Sequence, residues 1–400
     1  MGKLEQPQWV ELDPRLDRNH IATSWFTDPA VYEEEITSVF ARTWIKVGRI
    51  EQVANAGDYF VKEIPAPKSS VLVVRSATGE LLAFHNVCTH RCNKLVWEPS
   101  GNAKGFLCKF HSWSFDISGR LKHVPDADSF YHVDYDALSL TPVAVDVWEG
   151  FVFINLMSTP VIGLAEFMGE AGARLRGFPF GDLTAEYGYS ALLNCNWKVM
   201  LDAFSEGYHV ATVHRRSLPG LTANPYGHPE YVRLYRQHRA MGLDGSGTPT
   251  RTPMEVLAGQ FGASLVKGGS GEGYLPTDVN PDRSPTFNQD ITVFFPNFLV
   301  HVLEGNYYTH QFWPVSVNQT LWEARTYFAP PTNFAERFSQ EFAHCLHRDA
   351  WSEDTGTMEH TQQMLETGAR KYMVLQDSEV LIRHAYKVLE IALQAGKGNA

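Results

Sequence analysis

The sequence predicts an α+β protein in which a small antiparallel β-domain is combined with a larger domain, where helices flank an antiparallel sheet. Three observations support this fold class. Short β-rich runs bounded by Gly, Pro, Asn or Ser follow one another from residue 44 to residue 156. Further β-rich runs lie between residues 187 and 328, and the C-terminal segment has helical periodicity.

The small domain is predicted from its strands, after an amphipathic helix over residues 30–42. The six predicted strands are residues 44–48, 58–64, 70–76, 80–87, 141–148 and 151–156. We therefore assign residues 43–157 to the small domain, and residues 1–42 together with 158–400 to the larger one.

The larger domain is predicted to contain four helices besides one that begins near Trp197, and five strands. The helices are residues 161–176, 332–348, 352–367 and 376–394, and the strands are 187–193, 230–237, 291–303, 307–314 and 320–328. Residues 242–288 are rich in Gly, Pro, Ser and Thr and are too long for an ordinary connection. Either a mobile surface loop or a lid over an active site would explain them.

Composition excludes several classes of protein. The formal net charge is −11 and no Lys/Arg cluster is present, which argues against a nucleic-acid-binding protein. The sequence contains no run of eighteen apolar residues, so it predicts no membrane span. The charged N-terminus does not resemble a signal peptide. Five cysteines are too few for a disulfide framework in a chain of this length. We therefore expect a cytoplasmic protein.

The first group of candidate ligands is Cys88-x-His90, followed after seventeen residues by Cys108-x-x-His111. Thiolates are soft ligands that suit iron–sulfur clusters, and imidazole also binds iron. The alternative is a structural zinc site, but zinc sites usually pair Cys with Cys and His with His. The spacing therefore predicts a Rieske-type [2Fe–2S] cluster with two Cys and two His ligands, each pair on a tight hairpin loop.

The second group is His209 and His214, which follow Asp202 and Glu206. On an ideal helix Asp202, Glu206 and His209 would share one face. His214 would lie about 140° from His209, so a regular helix cannot direct both rings at one ion. The helix is therefore predicted to end, or to contain a π-bulge, between the two histidines. Two histidines and one carboxylate form the facial triad of non-heme Fe(II) oxygenases.

The motifs CTHRC and CKFHSWSF, together with the two histidines, resemble those of the Rieske non-heme iron oxygenases, the family of aromatic ring-hydroxylating oxygenase alpha subunits. The resemblance implies that Cys88 and Cys108 bind one iron of the cluster, and that His90 and His111 bind the other. The stretch WSEDTGTMEHTQQML resembles the family's Asp-x4-Glu-x2-Gln pattern. It implies that Asp354 is the third ligand of a mononuclear iron, with Glu353 as the alternative.

Two further residues are candidate catalytic residues by resemblance. Glu206 matches the acidic residue that connects His209 to a cluster histidine, His111, of a neighbouring subunit. Asp202 matches a position often held by Glu, where it would support this bridge. One residue departs from the family, because Cys92 stands where Gly is usual. It is either a small bystander, a residue that tunes the cluster, or a site liable to oxidation.

The resemblance implies the terminal component of a multicomponent oxygenase. Each chain would carry one [2Fe–2S] cluster and one mononuclear Fe(II), with O₂ as co-substrate and NAD(P)H oxidised by a partner reductase. Electrons would arrive from a ferredoxin or a flavin reductase. The resemblance also implies a homotrimer, and leaves open whether a small β-subunit accompanies it.

The predicted reaction is dihydroxylation or monooxygenation of an aromatic or other hydrophobic ring, as in aromatic hydrocarbon catabolism. One alternative is an N- or O-demethylase or monooxygenase acting on a small polar substrate. The other is a Rieske electron-transfer protein without oxygenase activity, which the length of the chain beyond the cluster motifs disfavours. The aromatic bias near the ligands favours a ring substrate. Candidate substrate contacts are Phe204, Val210, Phe295, His301, Phe312, Ala350 and Trp351.

Overall fold

The computed structural model describes residues 8–221, 226–261 and 275–397. The chain divides into two compact units, of which the smaller is Ile36–Phe167 and the larger combines Met1–Glu35 with Met168–Ala400. Each unit contains an antiparallel seven-stranded sheet. The predicted α+β fold class is therefore confirmed. Within the described residues, no helix is both long enough and apolar enough to cross a bilayer.

The N-terminal part of the larger unit is a short succession of small elements. They are a 3₁₀ turn at Trp9–Leu12, strand β1 (Ile21–Ala22) and helices α1 (Ser24–Thr27) and α2 (Pro29–Glu35). The smaller unit then begins with a π-helical turn at Ile36–Phe40. Within it the Ala41 N–H reaches the carbonyl of Ile36. The helix predicted over residues 30–42 thus changes its hydrogen-bond pattern halfway along.

The smaller unit is built from ten strands. They are β2 (Ile45–Arg49), β3 (Asp58–Ile64), β4 (Ser69–Arg75), β5 (Leu81–His85), β6 (Ser100–Asn102), β7 (Gly105–Leu107), β8 (Ser114–Asp116), β9 (Leu121–His123), β10 (Pro142–Trp148) and β11 (Phe151–Asn155). Seven form one sheet in the order β2-β11-β10-β5-β4-β3-β6, and β7-β8-β9 form a second. The apolar core of this unit includes Cys88 and Cys108, so the tips of its hairpins are anchored by buried side chains.

The remaining elements belong to the larger unit, except that the first of them begins at Leu164, inside the smaller unit. They are α3 (Leu164–Ala173), β12 (Ala185–Leu193), α4 (Trp197–Ala203), α5 (Val210–Val213), β13 (Tyr231–Leu234), β14 (Arg239–Asp244), α6 (Pro253–Gln260), β15 (Phe287–Phe294), β16 (Phe298–Leu303), β17 (Asn306–Ser316), β18 (Gln319–Phe328), α7 (Phe334–Glu366), β19 (Tyr372–Met373) and α8 (Val380–Lys397). The sheet order is β12-β18-β17-β16-β15-β14-β13, and β1 pairs with β19.

The two faces of this sheet bury different kinds of side chain. On one face, His301 of β16 lies opposite Tyr308 of β17 and stacks on it, and Tyr308 contacts Trp351 of helix α7. On the other face, Arg174 forms a buried ion pair with Asp290, with an Nη2–Oδ2 distance of 2.5 Å. Because successive strand residues alternate in direction, the polar and aromatic residues of the first face all point toward the helices.

Three predicted elements differ from the structure. Residues 291–303 are not one strand but the hairpin β15–β16, because Pro296 lies at the turn and cannot continue a ladder. The two helices predicted over 332–348 and 352–367 are the single helix α7, since no Gly or Pro separates them. Residues 242–288 contain the end of β14, helix α6 and the start of β15. Residues 262–274, where a lid was one interpretation, lie outside the described residues.

Candidate metal centres

Two hairpin loops of the smaller unit carry the predicted cluster ligands. The loop Cys88–Asn93 is closed by a hydrogen bond from the Cys88 N–H to the Asn93 carbonyl, 2.8 Å long. The loop Cys108–Trp113 is closed in the same way, also at 2.8 Å. Each six-residue loop therefore begins at a buried cysteine and carries its histidine two or three residues later.

Each loop also contains one residue in the left-handed region. Cys92 has a φ of 56° and Ser112 a φ of 59°. Their N–H groups return to the carbonyls of Cys88 and Cys108, at 3.0 and 2.9 Å. This conformation favours Gly, which is a physical reason for the Gly usual at position 92 in the resembled family. Cys92 adopts the conformation at a cost and its side chain is exposed.

The four predicted cluster ligands converge and offer suitable donor atoms. The His90 and His111 rings are 4.5 Å apart between centroids, and His90 stacks on Trp113 at 4.8 Å. The His111 Nδ1 atom is buried and has no hydrogen-bond partner among the described residues. Burial raises the pKa of Cys88 to about 11, although the His90 N–H donated toward its sulfur opposes this. Burial acts in the same direction on Cys108, but the N–H of Phe110 and the other hydrogen bonds outweigh it and lower the pKa of that thiol. This donor set fits a Rieske cluster.

In the larger unit, helix α4 ends before the two histidines. The Glu206 carboxylate accepts the N–H groups of Tyr208 and His209, which stabilises the turn that leads into the one-turn helix α5. His209 immediately precedes α5 and His214 immediately follows it. Asp202, Glu206 and His209 therefore do not share a helix face, contrary to the prediction from their spacing. The main break lies before His209, in the loop from Phe204 to Tyr208, and not between the histidines.

A glycine contact holds this loop in place. Gly227 has a φ of 62°, and a Cβ on it would lie 2.0 Å from the carbonyl carbon of Gly207. A Cβ on Gly207 would in turn lie 3.0 Å from the carbonyl oxygen of Gly227. The two backbones therefore approach as closely as glycine permits. This close contact fixes the position of Gly207, which lies between Glu206 and His209.

His209, His214 and Asp354 form a compact group of metal-ligand atoms. Asp354 Oδ1 lies 3.5 Å from His209 Nε2 and 3.3 Å from His214 Nε2. Within the described part of the chain, these residues are the group whose ligand atoms could hold one ion. Asp354 is only 3% exposed and its Oδ1 lacks a hydrogen-bond partner there. A buried carboxylate oxygen facing two imidazole nitrogens fits a mononuclear iron site.

The far side of each imidazole contacts a carboxylate. Glu206 Oε1 contacts His209 Nδ1, and Glu353 Oε2 lies 3.2 Å from His214 Nδ1. Glu353 also accepts the N–H of Ser217 at 3.1 Å and its hydroxyl at 2.5 Å. The geometry thus favours Asp354 over Glu353 as the ligand, because Glu353 lies behind His214. Such carboxylates fix the ring orientation and increase the basicity of Nε2.

The electrostatics of the site favour a cation between the rings. Burial acts to lower the pKa of His209, but the adjoining Glu206 carboxylate outweighs it and raises this pKa to about 9. Burial raises the pKa of Asp354 against the opposing effect of His214 and His209. Both groups therefore gain from a positive charge at the point where they meet.

A cavity opens from this triad toward the sheet. Five predicted substrate contacts line it, and they are Phe204, Val210, His301, Ala350 and Trp351. Phe295 and Phe312 are not among its described lining residues. Phe295 lies at the β15–β16 turn, and Phe312 packs behind Phe204 with ring centroids 5.5 Å apart. The rings of Phe295 and Phe312 therefore lie outside the described wall of this cavity.

Several polar residues of the lining were not among the predicted substrate contacts, namely Tyr308, His347, Asn288 and Gln289. His347 precedes Asp354 by seven residues on α7, so the helical period applied to this segment would have identified it. Tyr308 alternates with His310 and Phe312 along β17, so the strand period would have placed it on the inner face. No local signal marks Asn288 and Gln289.

Asp202 does not lie where the bridge hypothesis placed it. Its carboxylate accepts the hydroxyl of Tyr386 at 2.7 Å, and it is not among the described residues that line the cavity. Burial raises the pKa of Asp202 to about 7, although Tyr386 opposes this. Asp202 therefore anchors α4 to α8 through Tyr386, and a direct contact with the iron ligands is not part of the geometry.

Comparison with family models matches both units. Residues 43–144 match the Rieske [2Fe–2S] domain, and residues 180–395 match the ring hydroxylating alpha subunit (catalytic domain). The second match alone covers more than half of the 400 residues. The chain belongs to the Rieske ring-hydroxylating oxygenase family. The resemblance stated from the motifs is confirmed, and the cofactors of this Rieske oxygenase-family protein are a [2Fe–2S] cluster and a mononuclear iron.

Curated relatives of this Rieske oxygenase-family protein act on different substrates. The oxygenase subunit of carnitine monooxygenase from Escherichia coli K12 is 31% identical over 210 residues, covering 52% of this chain and 55% of the relative. Chloroplastic choline monooxygenase from Arabidopsis thaliana is 29% identical over 231 residues, 54% of each chain. Benzene 1,2-dioxygenase subunit alpha from Pseudomonas putida is 31% identical over 262 residues, 62% of this chain and 54% of the relative. The matched segments span about half the length of these relatives.

Solved structures share the fold. The quaternary ammonium Rieske monooxygenase CntA has a TM-score of 0.75 at 19% identity, covering 97% of this chain and 99% of that one. Naphthalene 1,2-dioxygenase has a TM-score of 0.68 at 20% identity, covering 94% of each chain. At this identity the likeness concerns the fold alone.

Proposed function

We propose that this chain is the terminal oxygenase component of a Rieske multicomponent oxygenase that monooxygenates, or oxidatively demethylates, a small polar substrate. The observation that carries the proposal is the convergence of His209 Nε2, His214 Nε2 and Asp354 Oδ1 at one end of a buried cavity. A Rieske electron carrier has no need of such a triad or of a cavity beside it. This speaks against the electron-transfer alternative.

The ligand assignment is part of the proposal. Residues 43–157 form the Rieske domain, with Cys88, His90, Cys108 and His111 as cluster ligands. His209, His214 and Asp354 hold the mononuclear iron in the domain formed by 1–42 and 158–400. When bound, the two groups supply single-electron transfer and activation of O₂.

The protein's own residues have three tasks in this scheme. Glu206 and Glu353 hold the His209 and His214 rings by their Nδ1 atoms, which keeps both Nε2 atoms directed toward Asp354. The aromatic residues Phe204, Tyr308 and Trp351 line the cavity and exclude water from its interior. The polar lining orients the substrate so that one carbon lies beside the triad.

Glu206 is proposed as the electron bridge. It already contacts His209 Nδ1, and its side chain is 10% exposed. We infer that a cluster histidine of a second copy, His111, completes the bridge in a head-to-tail homotrimer. Support comes from a CntA structure whose published description refers to inter-subunit electron transfer. A ferredoxin or flavin reductase would supply the electrons, with NAD(P)H as the primary donor. A small β-subunit is not required by this scheme.

A polar, nitrogen-bearing substrate is favoured over a hydrocarbon ring. Carnitine and choline monooxygenases are among the relatives. The described lining contains Asn288, Gln289, His301 and His347, and no Lys or Arg. An ammonium group is attracted to aromatic faces such as Trp351 and Tyr308. The same lining has no cation with which to hold a carboxylate.

Arene dihydroxylation is the second candidate function. The observation in its favour is the benzene dioxygenase alpha subunit, whose match covers 62% of this chain. The cavity is also lined by Phe204, Ile291 and Trp351, which would pack against a ring.

A substrate panel with a surrogate reductase would test the proposal. Purified holoenzyme, NADH, a ferredoxin–reductase pair and O₂ would be incubated with choline, carnitine, benzylamine, benzene and naphthalene. We expect product-coupled O₂ uptake with a nitrogen-bearing compound, and no cis-diol from either hydrocarbon. Coupled diol formation from benzene or naphthalene with inactivity toward the amines would replace the proposed function by the second candidate.

A further inference from the structure

Two histidines outside the iron triad face the cavity with unused ring nitrogens. His301 of β16 is 2% exposed, and neither of its nitrogens has a hydrogen-bond partner among the described residues. His347 of α7 is 1% exposed. Its Nδ1 lies 3.3 Å from Thr326 Oγ1, while its Nε2 has no partner in the same part of the chain. Buried polar atoms are nearly always paired, so these atoms point to a ligand.

Both histidines are uncharged. Burial lowers the pKa of His301 to about 3, with a smaller effect from His347. Burial likewise lowers the pKa of His347 to about 3, with a smaller effect from His344. A neutral imidazole offers one N–H donor and one nitrogen acceptor. The pair can therefore hydrogen-bond a hydroxyl, carbonyl or amine without attracting a counter-charge into the cavity.

Aromatic stacking fixes the positions of both rings. Tyr308 stacks on His301 with centroids 4.3 Å apart and contacts His347 at 4.8 Å. Trp351 stacks on the other ring, His347, at 5.2 Å. The Tyr308 hydroxyl donates to Gln289, so it is already satisfied. Apart from Asp354 Oδ1 at the triad, the buried side-chain atoms of the lining that have no hydrogen-bond partner among the described residues are therefore on these two histidines.

His347 and Asp354 lie on the same helix and line the same cavity. His347 precedes Asp354 by seven residues, which is two helical turns, so both side chains can share one helix face. A small molecule bound beside the triad can therefore place a polar atom at the histidines.

We propose that His301 is the specificity-determining residue of the cavity and that His347 assists it. His301 hydrogen-bonds an oxygen or nitrogen atom of the substrate that is remote from the reacting carbon. The inference rests on the proposed function, because it specifies what the polar substrate must present at that site. Unsubstituted hydrocarbons leave the buried nitrogens unpaired and are rejected for that reason.

The test compares matched ligands that differ by one hydroxyl. Choline would be paired with propyltrimethylammonium, and benzyl alcohol with ethylbenzene, so that a methyl group replaces the hydroxyl at nearly constant size. Dissociation constants would be measured by calorimetry on the oxidised holoenzyme, without turnover. The variants are His301→Phe, His301→Asn and His347→Phe. The packing control is His310→Phe, a buried ring of the same sheet that contacts His301 with centroids 5.1 Å apart but is not among the lining residues of the cavity.

In the wild-type protein we expect the hydroxyl-bearing member of a pair to bind at least about 10-fold more tightly. His301→Phe should remove this preference, His347→Phe should reduce it, and His301→Asn should restore part of it. His310→Phe should keep it. The inference is overturned if the methyl analogue binds as well in the wild type, if neither alcohol binds, or if His310→Phe loses the preference equally. Selectivity without turnover of any amine would instead refute the proposed function and leave the inference standing.

Discussion

Glu353 and Asp354 are adjacent in sequence, yet their carboxylates approach opposite sides of one imidazole. Asp354 Oδ1 is 3.3 Å from His214 Nε2, while Glu353 Oε2 is 3.2 Å from His214 Nδ1. Neighbouring helix residues point about 100° apart, so one turn of α7 can supply a ligand and the residue that orients another ligand. A sequence pattern alone cannot distinguish these two roles, because both are acidic residues at the expected place.

We predict that Glu353→Gln weakens iron binding at the mononuclear site by about 10–100-fold, because His214 loses the carboxylate that orients it. The measurement is iron content after dialysis against a graded chelator, with the visible spectrum of the cluster recorded in parallel. Glu359→Gln is the control, since Glu359 lies on the same helix and its carboxylate accepts the Asn194 N–H at 2.8 Å. Equal iron retention in both variants would contradict the assigned role of Glu353.

At the scale of elements, the loop between α4 and α5 depends on a backbone contact more than on side chains. Gly207 and Gly227 approach so closely that a Cβ on Gly227 would overlap the peptide that follows Gly207. The loop carries Glu206 and leads directly into His209, so an error in its path moves a ligand. The short helix α5 cannot correct such an error, because a single turn has little stability of its own.

Gly227→Ala is therefore expected to destabilise the larger unit and to deplete the mononuclear iron. The control is Gly305→Ala, which also has a positive φ of 84° but would meet no atom within 4 Å. Gly305→Ala should lower the free energy of unfolding by about 1 kcal/mol, the ordinary penalty for an alanine in the left-handed region. Gly227→Ala should lower the free energy of unfolding, measured by chemical denaturation, by clearly more than this. It should also lose iron at a chelator concentration at which Gly305→Ala retains it. Similar losses in both variants would show that the close approach is unimportant.

The sequence predicted most elements because turn residues and hydrophobic periods mark them. The strands of the smaller unit and the cluster loops are examples, since short loops between β-runs leave few alternatives. The predicted element boundaries were wrong where a tertiary contact determines the path of the backbone. The break before His209 accompanies the close approach of Gly227 to Gly207, a contact between distant residues that no local pattern shows.

The cavity was predicted less completely than the ligands. Metal-ligand spacing is constrained by the geometry of one ion, so His209, His214 and Asp354 could be found from residue types and the family pattern. The wall of the cavity is formed by strands and a helix far apart in sequence. Phe312 was expected to face the substrate, yet Phe204 lies in front of it. Tyr308 and His347 were missed because each belongs to a face recognised only once the sheet and α7 meet.

At the scale of the whole molecule, the two metal centres belong to different compact units. The proposed trimer connects the cluster of one copy to the iron site of the next. This arrangement makes each copy both a donor and an acceptor, and it can be tested by dividing the two roles between chains. His90→Ala removes a cluster ligand, whereas His209→Ala removes an iron ligand, so each variant alone should be inactive.

Co-expression of the two variants in equal amounts should restore activity if electrons cross between copies. In a closed ring, an interface is productive when the chain on one side has its cluster and the chain on the other has its iron. Random mixing gives each condition a probability of one half, so about a quarter of the wild-type rate per interface is expected. The rate would be measured as product-coupled O₂ uptake after size-exclusion chromatography confirms the wild-type assembly. Mixing the variants after separate purification is the control and should stay inactive where subunits do not exchange. Transfer within a single chain predicts no activity in either mixture, because no chain would then contain both intact centres.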